Sequence, residues 1–292
     1  MFVAVPAARW RLLAAFAALY VIWGSTYLAI RIGVASWPPL MMAAVRFLLA
    51  GGLLYAWQRG RGAPAPSRRQ WLHAGAIGAL LLAGGNGGVT VAEQWVASGV
   101  AALAVATVPL FTLACAQMFG QRASAREWFG IALGLAGMLL LNLGANLQAS
   151  PLGAALLLFA SASWAFGSVW GKRLDLPAGP MAAATEMLVG GVVLALASAL
   201  AGERPQAWPT LEGWLALAYL VVFGSLVAFS AYLYLLKTVR PALATSYAYV
   251  NPVVAVGLGV AFAGERIGSA EWLAMAVIVL AVVWISLPRR AA

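Results

Sequence analysis

Apolar runs of about 20 residues follow one another along almost the whole chain, separated by short polar links. A run of that length spans a bilayer as a helix, which satisfies every backbone N–H and C=O internally. Ten such spans are predicted, over residues 10–30, 38–57, 71–91, 96–119, 127–147, 152–171, 178–200, 212–235, 241–262 and 270–287. The fold class expected is therefore an all-α integral membrane protein. Composition agrees: 64% of the 292 residues are hydrophobic and 9% charged, against roughly 45–50% and 25% in soluble domains. No water-soluble fold hides that much apolar surface. The first span is too long for a signal peptide, and Tyr27, Arg31 and Trp37 stand where small cleavage-site residues would be needed.

The charges orient the spans. Of 18 Lys and Arg residues, 14 fall at the termini or in alternate links, among them Arg59, Arg61, Arg68, Arg69, Arg122, Arg126, Lys172, Arg173, Lys237 and Arg240. The opposite side holds Arg31, Arg204 and Arg266 with Glu93, Glu203, Glu212, Glu265 and Glu271. The positive-inside rule then places both termini in the cytoplasm of a bacterial-type inner membrane. The net charge of +10 comes from these clusters, and no nucleic-acid motif accompanies them. One histidine (His73) and one cysteine (Cys115) leave no metal cluster, disulfide or nucleophile–base pair. No phosphate-binding loop occurs, so neither an enzyme nor an ATP-driven pump is expected, and no cofactor.

Shifted by about 143 residues, the chain aligns with itself. GQRASAREW (120–128) matches GERIGSAEW (264–272) at Gly, Arg, Glu and Trp; Trp71-Leu72 matches Trp214-Leu215, Gly24-Ser25 matches Gly167-Ser168, and Pro109 matches Pro252. Residues 1–148 and 149–292 thus form two repeats of five spans. Five is odd, so the second copy is inverted. Inverted repeats recur in secondary transporters, where two halves open to either side of a central site. A channel shares this signature and remains the nearest rival.

IWGSTYLAIR, PPLMMAAVRFLLAG, GLAGMLLL and ATSYAYVNPVVAVGLG, with GERIGSAEW, resemble the drug/metabolite transporter superfamily in its EamA-type branch of ten-span exporters. The resemblance covers nearly the whole chain. It implies efflux of small metabolites, with amino acids a frequent cargo and YddG-like aromatic amino acid exporters the nearest picture. It also implies a central cavity, with the fifth and tenth spans at the periphery.

Candidate functional residues follow from polarity at depth. Arg46 and Glu186 are the strong charges well inside spans, at equivalent repeat positions. Each needs a partner or a cavity, so they are expected either to pair across the inverted axis or to make Glu186 a proton-coupling group. Trp23 and Trp164 lie too deep for the interfacial belt, and together with Thr26 and Ser168 they are expected to line the cavity. Asn86, among four glycines in AGGNGGVT, and Thr90 one turn on, mark a hinge or cavity wall. In SYAYVNPVVAVG, Tyr247 and Asn251 share a face and lack polar counterparts in the first repeat, which points to cargo recognition. Pro109 and Pro252 free the carbonyls of Val105 and Ala248 and are read as paired kinks. Gly24 and Gly167 are read as hinges or as close packing positions.

The expected partners are a small-molecule substrate and the lipid bilayer, with protons as a coupling ion under one reading, no nucleic acid, and a monomeric chain. The aromatic, nearly uncharged inventory suits a hydrophobic amino acid better than a phosphate ester. Broad efflux by proton antiport and a channel-like facilitator stay open as alternatives.

Overall fold

The computed structural model describes residues 7–95, 101, 104–141, 151–254 and 269–286. Among them every regular element is helical. We label α1 Ala7–Val34, α2 Pro39–Gly60, α3 Arg68–Ala92, α4 Val108–Met118, α5 Ala125–Leu141, α6 Pro151–Trp170, α7 Pro180–Leu200, α8 Leu211–Thr238, α9 residues 247–254 and α10 Ser269–Ser286. Six of these are long and apolar enough to cross a membrane; α4 and part of α10 are shorter apolar helices. The predicted spans 96–119, 127–147, 241–262 and 270–287 each run partly outside the described residues.

Helix packing repeats itself between the halves. α2 packs on α7 and α5 on α10, each helix against its own repeat partner. α1 packs along α8 just as α6 packs along α3, and α2 meets the middle of α8 as α7 meets the middle of α3. A two-fold arrangement produces that pattern of self-paired and exchanged contacts. The α2–α7 seam is backbone-close: a Cβ on Gly51 would stand 2.9 Å from Leu188 N, and one on Gly191 would stand 3.0 Å from Leu48 N. Without a hydrophobic drive between helices in lipid, small residues at the seam supply the attraction. Large apolar side chains such as Leu53, Phe159 and Leu196 face outward instead. Trp10, Trp57, Trp95, Trp128 and Trp272 are exposed near helix ends, where an indole suits a membrane interface.

Both α3 and α8 contain a π-helical segment, Ala79–Gly87 and Leu220–Val227. Asn86, read in the sequence as marking a hinge or cavity wall, lies in this widened helix. Its partner in LVVFGSLV carries one glycine and no asparagine, so composition does not announce it. A π segment shifts carbonyls out of the regular ladder, and here they are used across the repeats. Trp23 Nε1 on α1 donates to Gly224 O (3.1 Å), and Ser163 Oγ on α6 donates to Leu80 O (2.8 Å).

The prolines act differently from the expectation of paired mid-helix kinks. The chain turns at residues 106–107 and again at 245–246. Pro109 therefore sits in the first turn of α4, where its missing N–H is not needed. Pro252 lies within α9, six residues past its turn. Gly24 and Gly167 are close-packing positions: a Cβ there would meet Val254 Cβ at 2.9 Å and Leu80 Cβ at 3.0 Å.

Candidate functional site: a cavity walled by aromatic rings

A cavity of about 680 Å³ lies among α1, α2, α3, α4, α6, α8 and α9. Its lining runs along α1 from Trp23 to Ile30 and along α3 from Leu82 to Val89. It thus occupies the half of the bundle toward the end where α1 finishes, hereafter the far side. On the near side it is shut by packed rings. The Trp23 ring centroid is 5.5 Å from that of Trp164, 5.2 Å from Tyr232 and 4.8 Å from Tyr247. These edge and tilted contacts suit the ring quadrupoles, and hydrogen bonds lock them. Trp164 Nε1 donates to Tyr232 Oη (2.9 Å), and the Tyr232 and Ser168 hydroxyls pair at 2.6 Å. Below them the Tyr20 hydroxyl meets Ser246 Oγ at 2.7 Å, joining α1 to the turn before α9.

Of the residues singled out in the sequence, Trp23, Thr26, Asn86, Trp164, Tyr247 and Asn251 are on the cavity wall. Thr90 and Ser168, expected there, are not among its lining residues. The Thr90 hydroxyl donates to Asn86 O (2.8 Å), and Ser168 donates to Trp164 O (2.7 Å) from beneath the barrier. Thr26 donates to Trp23 O (2.7 Å). Asn251 reaches the wall but is engaged with the fold: its amide nitrogen, in the orientation that satisfies both groups, donates to Tyr247 O (3.0 Å) and Tyr20 O (3.2 Å). By contrast, Asn86 Oδ1 accepts no hydrogen bond among the described residues.

Arg46 and Glu186 do not form the ion pair allowed by their depths. Helical depth leaves the direction of each side chain open, and the two helices turn them to different cavities. Arg46, 4% exposed, lines the large cavity, its Nε donating to Ser225 Oγ at 2.8 Å. Its guanidinium also stands 4.7 Å from the Phe47 ring centroid. Among the described residues no carboxylate bonds to it. Glu186 is fully buried and lines a smaller near-side cavity.

Tyr232, Tyr27 and Ser225 were not singled out in the sequence as functional residues. Tyr232 had a usable signal, since a phenol deep in an apolar run needs a hydrogen-bond partner as much as an indole does. Ser225 had none, being one small hydroxyl in a hydrophobic helix. Glu93, just past the far end of α3, has both oxygens buried without hydrogen bonds among the described residues. Burial pushes its carboxyl up to about 8, with Arg31 drawing it back down.

An aromatic-walled cavity inside a two-fold bundle of membrane-crossing helices, barred by packed rings on one side, has the form of a membrane transporter's central site. The chain belongs to the EamA-like transporter family, whose model matches twice, over residues 9–143 and 151–287. It is 60% identical over 277 residues to the inner membrane transporter YedA of Escherichia coli (strain K12), covering 94% of this chain and 90% of that one. A transporter of Synechocystis is 25% identical, over 88% of this chain and 84% of its own. A solved crystal structure superposes with a TM-score of 0.75 at 22% identity, covering 94% of this chain and 97% of the other, and so shares the fold. These curated relatives are transporters rather than enzymes.

Proposed function

We propose that the chain is a secondary carrier that exports amino acids, aromatic and other hydrophobic ones foremost, by alternating access. Arg46 carries this reading. A buried guanidinium with one hydroxyl partner, on the wall of a cavity, is a receptor for a carboxylate, which it grips bidentately. The free Oδ1 of Asn86 supplies an acceptor for an ammonium group, and Trp23, Trp164 and Phe47 offer faces to an apolar side chain. A phosphate ester would call for further cations, and among the described residues Arg46 is the only Lys or Arg lining this cavity.

The rest of the reading follows the repeat. Ten spans in two inverted units, residues 1–148 and 149–292, place both termini in the cytoplasm by the positive-inside rule. The far side is then periplasmic, and the conformation faces outward. Trp23, Thr26, Asn86, Trp164, Tyr247 and Arg46 would hold the cargo, with the turns before Pro109 and within the Pro252 span as bending points. The ring barrier favours a carrier over a channel, because a channel needs a continuous open path. The unit is taken as a monomer.

The test is competition in proteoliposomes. Labelled phenylalanine uptake is expected to be inhibited by unlabelled phenylalanine and tryptophan, more weakly by 3-phenylpropionate, and hardly at all by phenethylamine, which lacks the carboxylate. Phenethylamine competing as well as phenylalanine would overturn the role of Arg46.

A further inference from the structure

Beneath the ring barrier is a second cavity, of about 360 Å³, between α3, α6, α7 and α8 on the near side. Glu186 of α7 is on its wall, fully buried, and both carboxylate oxygens lack a hydrogen-bond partner among the described residues. Lys172 from the end of α6 and Lys237 from α8 line the same space, yet neither forms an ion pair with Glu186. α3 contributes the apolar Ile77 and Leu81. α2 meets α7 there through Gly51, its one deep charge, Arg46, being turned to the other cavity. Ser168 of α6 lines this cavity too, and it bonds Tyr232, which bonds Trp164 on the cargo wall.

We propose that this second cavity is a proton-binding site centred on Glu186, linked to the cargo cavity through Ser168, Tyr232 and Trp164. The link, though not the proton site, rests on the large cavity being the cargo site. A buried carboxylate left charged and unpaired is opposed by the desolvation of its charge, so something must neutralise it. The two lysines on the wall repel a metal cation or a cargo ammonium. A proton bound as the neutral acid meets no such repulsion and needs no extra room. As the near side opens, water and Lys237 reach the carboxylate, and the proton leaves to that aqueous phase.

The hydroxyl hydrogens define how the signal passes. Ser168 has one hydrogen and gives it to Trp164 O (2.7 Å), so Tyr232 donates to Ser168 and accepts from Trp164 Nε1. The three residues form a closed ring of donors. A charged Glu186 only accepts. It competes for the Ser168 or Tyr232 hydrogen, opens the ring and frees the Trp164 indole that helps bar the cavity.

The test uses the purified full chain in detergent, without cargo, titrated from about pH 5 to about pH 9, the range open to buried carboxyl groups. Infrared difference spectra should show a carboxylic-acid carbonyl band that disappears as pH rises, with a parallel change in tryptophan fluorescence. Glu93 contributes a band of its own, so the reading is wild type minus E186Q. E186Q should lose the Glu186 component and the fluorescence change; E186D should keep both with a displaced midpoint. S168A should keep the band and lose most of the fluorescence change. E186Q spectra identical to wild type, or no fluorescence transition in wild type, would overturn the proposal. Failure of phenylalanine transport with these signals intact would count against the cargo alone.

Discussion

Arg46 and Asn251 are both polar, buried and on the cavity wall, but they stand in opposite relations to the fold. Asn251 bonds two backbone carbonyls, one on α1 and one in its own helix. Its replacement by alanine leaves those carbonyls short of a donor, and we expect a loss of about 1–3 kcal/mol in stability, seen as a lower unfolding temperature, with cargo preference unchanged. Arg46→Ala should do the reverse: fold with modest change, and weaken phenylalanine affinity by about 10–100-fold, the worth of a charge-assisted hydrogen bond of 1.5–3 kcal/mol. Arg46→Lys should recover only part of it, since a point charge lacks the fork. Glu93 governs a pH effect at the far end of α3. Its carboxyl is higher in the fold than its ordinary value of 4.5, so the fold is favoured most at low pH. That contribution falls as pH rises from 4.5 and is lost by about 8. Glu93→Gln should flatten the thermal-stability profile across that window. At this scale the sequence reads depth well and direction poorly. Trp23, Trp164 and Arg46 were legible as deep polar atoms in apolar runs, whereas the azimuth that parts Arg46 from Glu186 depends on α2 and α7 packing.

Elements show where legibility stops. The six membrane-crossing helices were readable because lipid imposes length and apolarity on each of them. The π segment in α3 was half readable, as glycines flag an irregular helix. Its twin in α8 was not, because Leu, Val and Phe carry no such flag and the geometry comes from the fold. The seam between α2 and α7 likewise appears only when the helices meet. A Cβ added at Gly51 would stand within 3.0 Å of backbone atoms of α7, so Gly51→Leu cannot be absorbed by a side-chain rotation. We expect overpacking of at least about 1–3 kcal/mol, read as loss of monodisperse protein on size exclusion. Gly52, one residue on, has nothing within 4 Å of its added Cβ. Gly52→Leu should therefore behave as wild type.

At the scale of the molecule, the two halves share their packing and differ in their charges. The repeat was legible because a polar link, GERIGSAEW, preserved it. Which side stands open was not, since both halves carry the same machinery. In a Cys115→Ala background, Ile30→Cys on the cavity wall should react with an impermeant maleimide added to the outside of intact cells. Leu81→Cys, beside the second cavity, should stay protected. The account's central claim is a single cargo site, gripped by Arg46 and exposed to one side at a time. Counterflow measures it most directly. Proteoliposomes loaded with labelled phenylalanine should release it faster when unlabelled phenylalanine is added outside, and Arg46→Ala should shift that acceleration to about 10–100-fold higher outside concentrations. Release at one rate whatever the outside concentration, in wild type and variant alike, would contradict it.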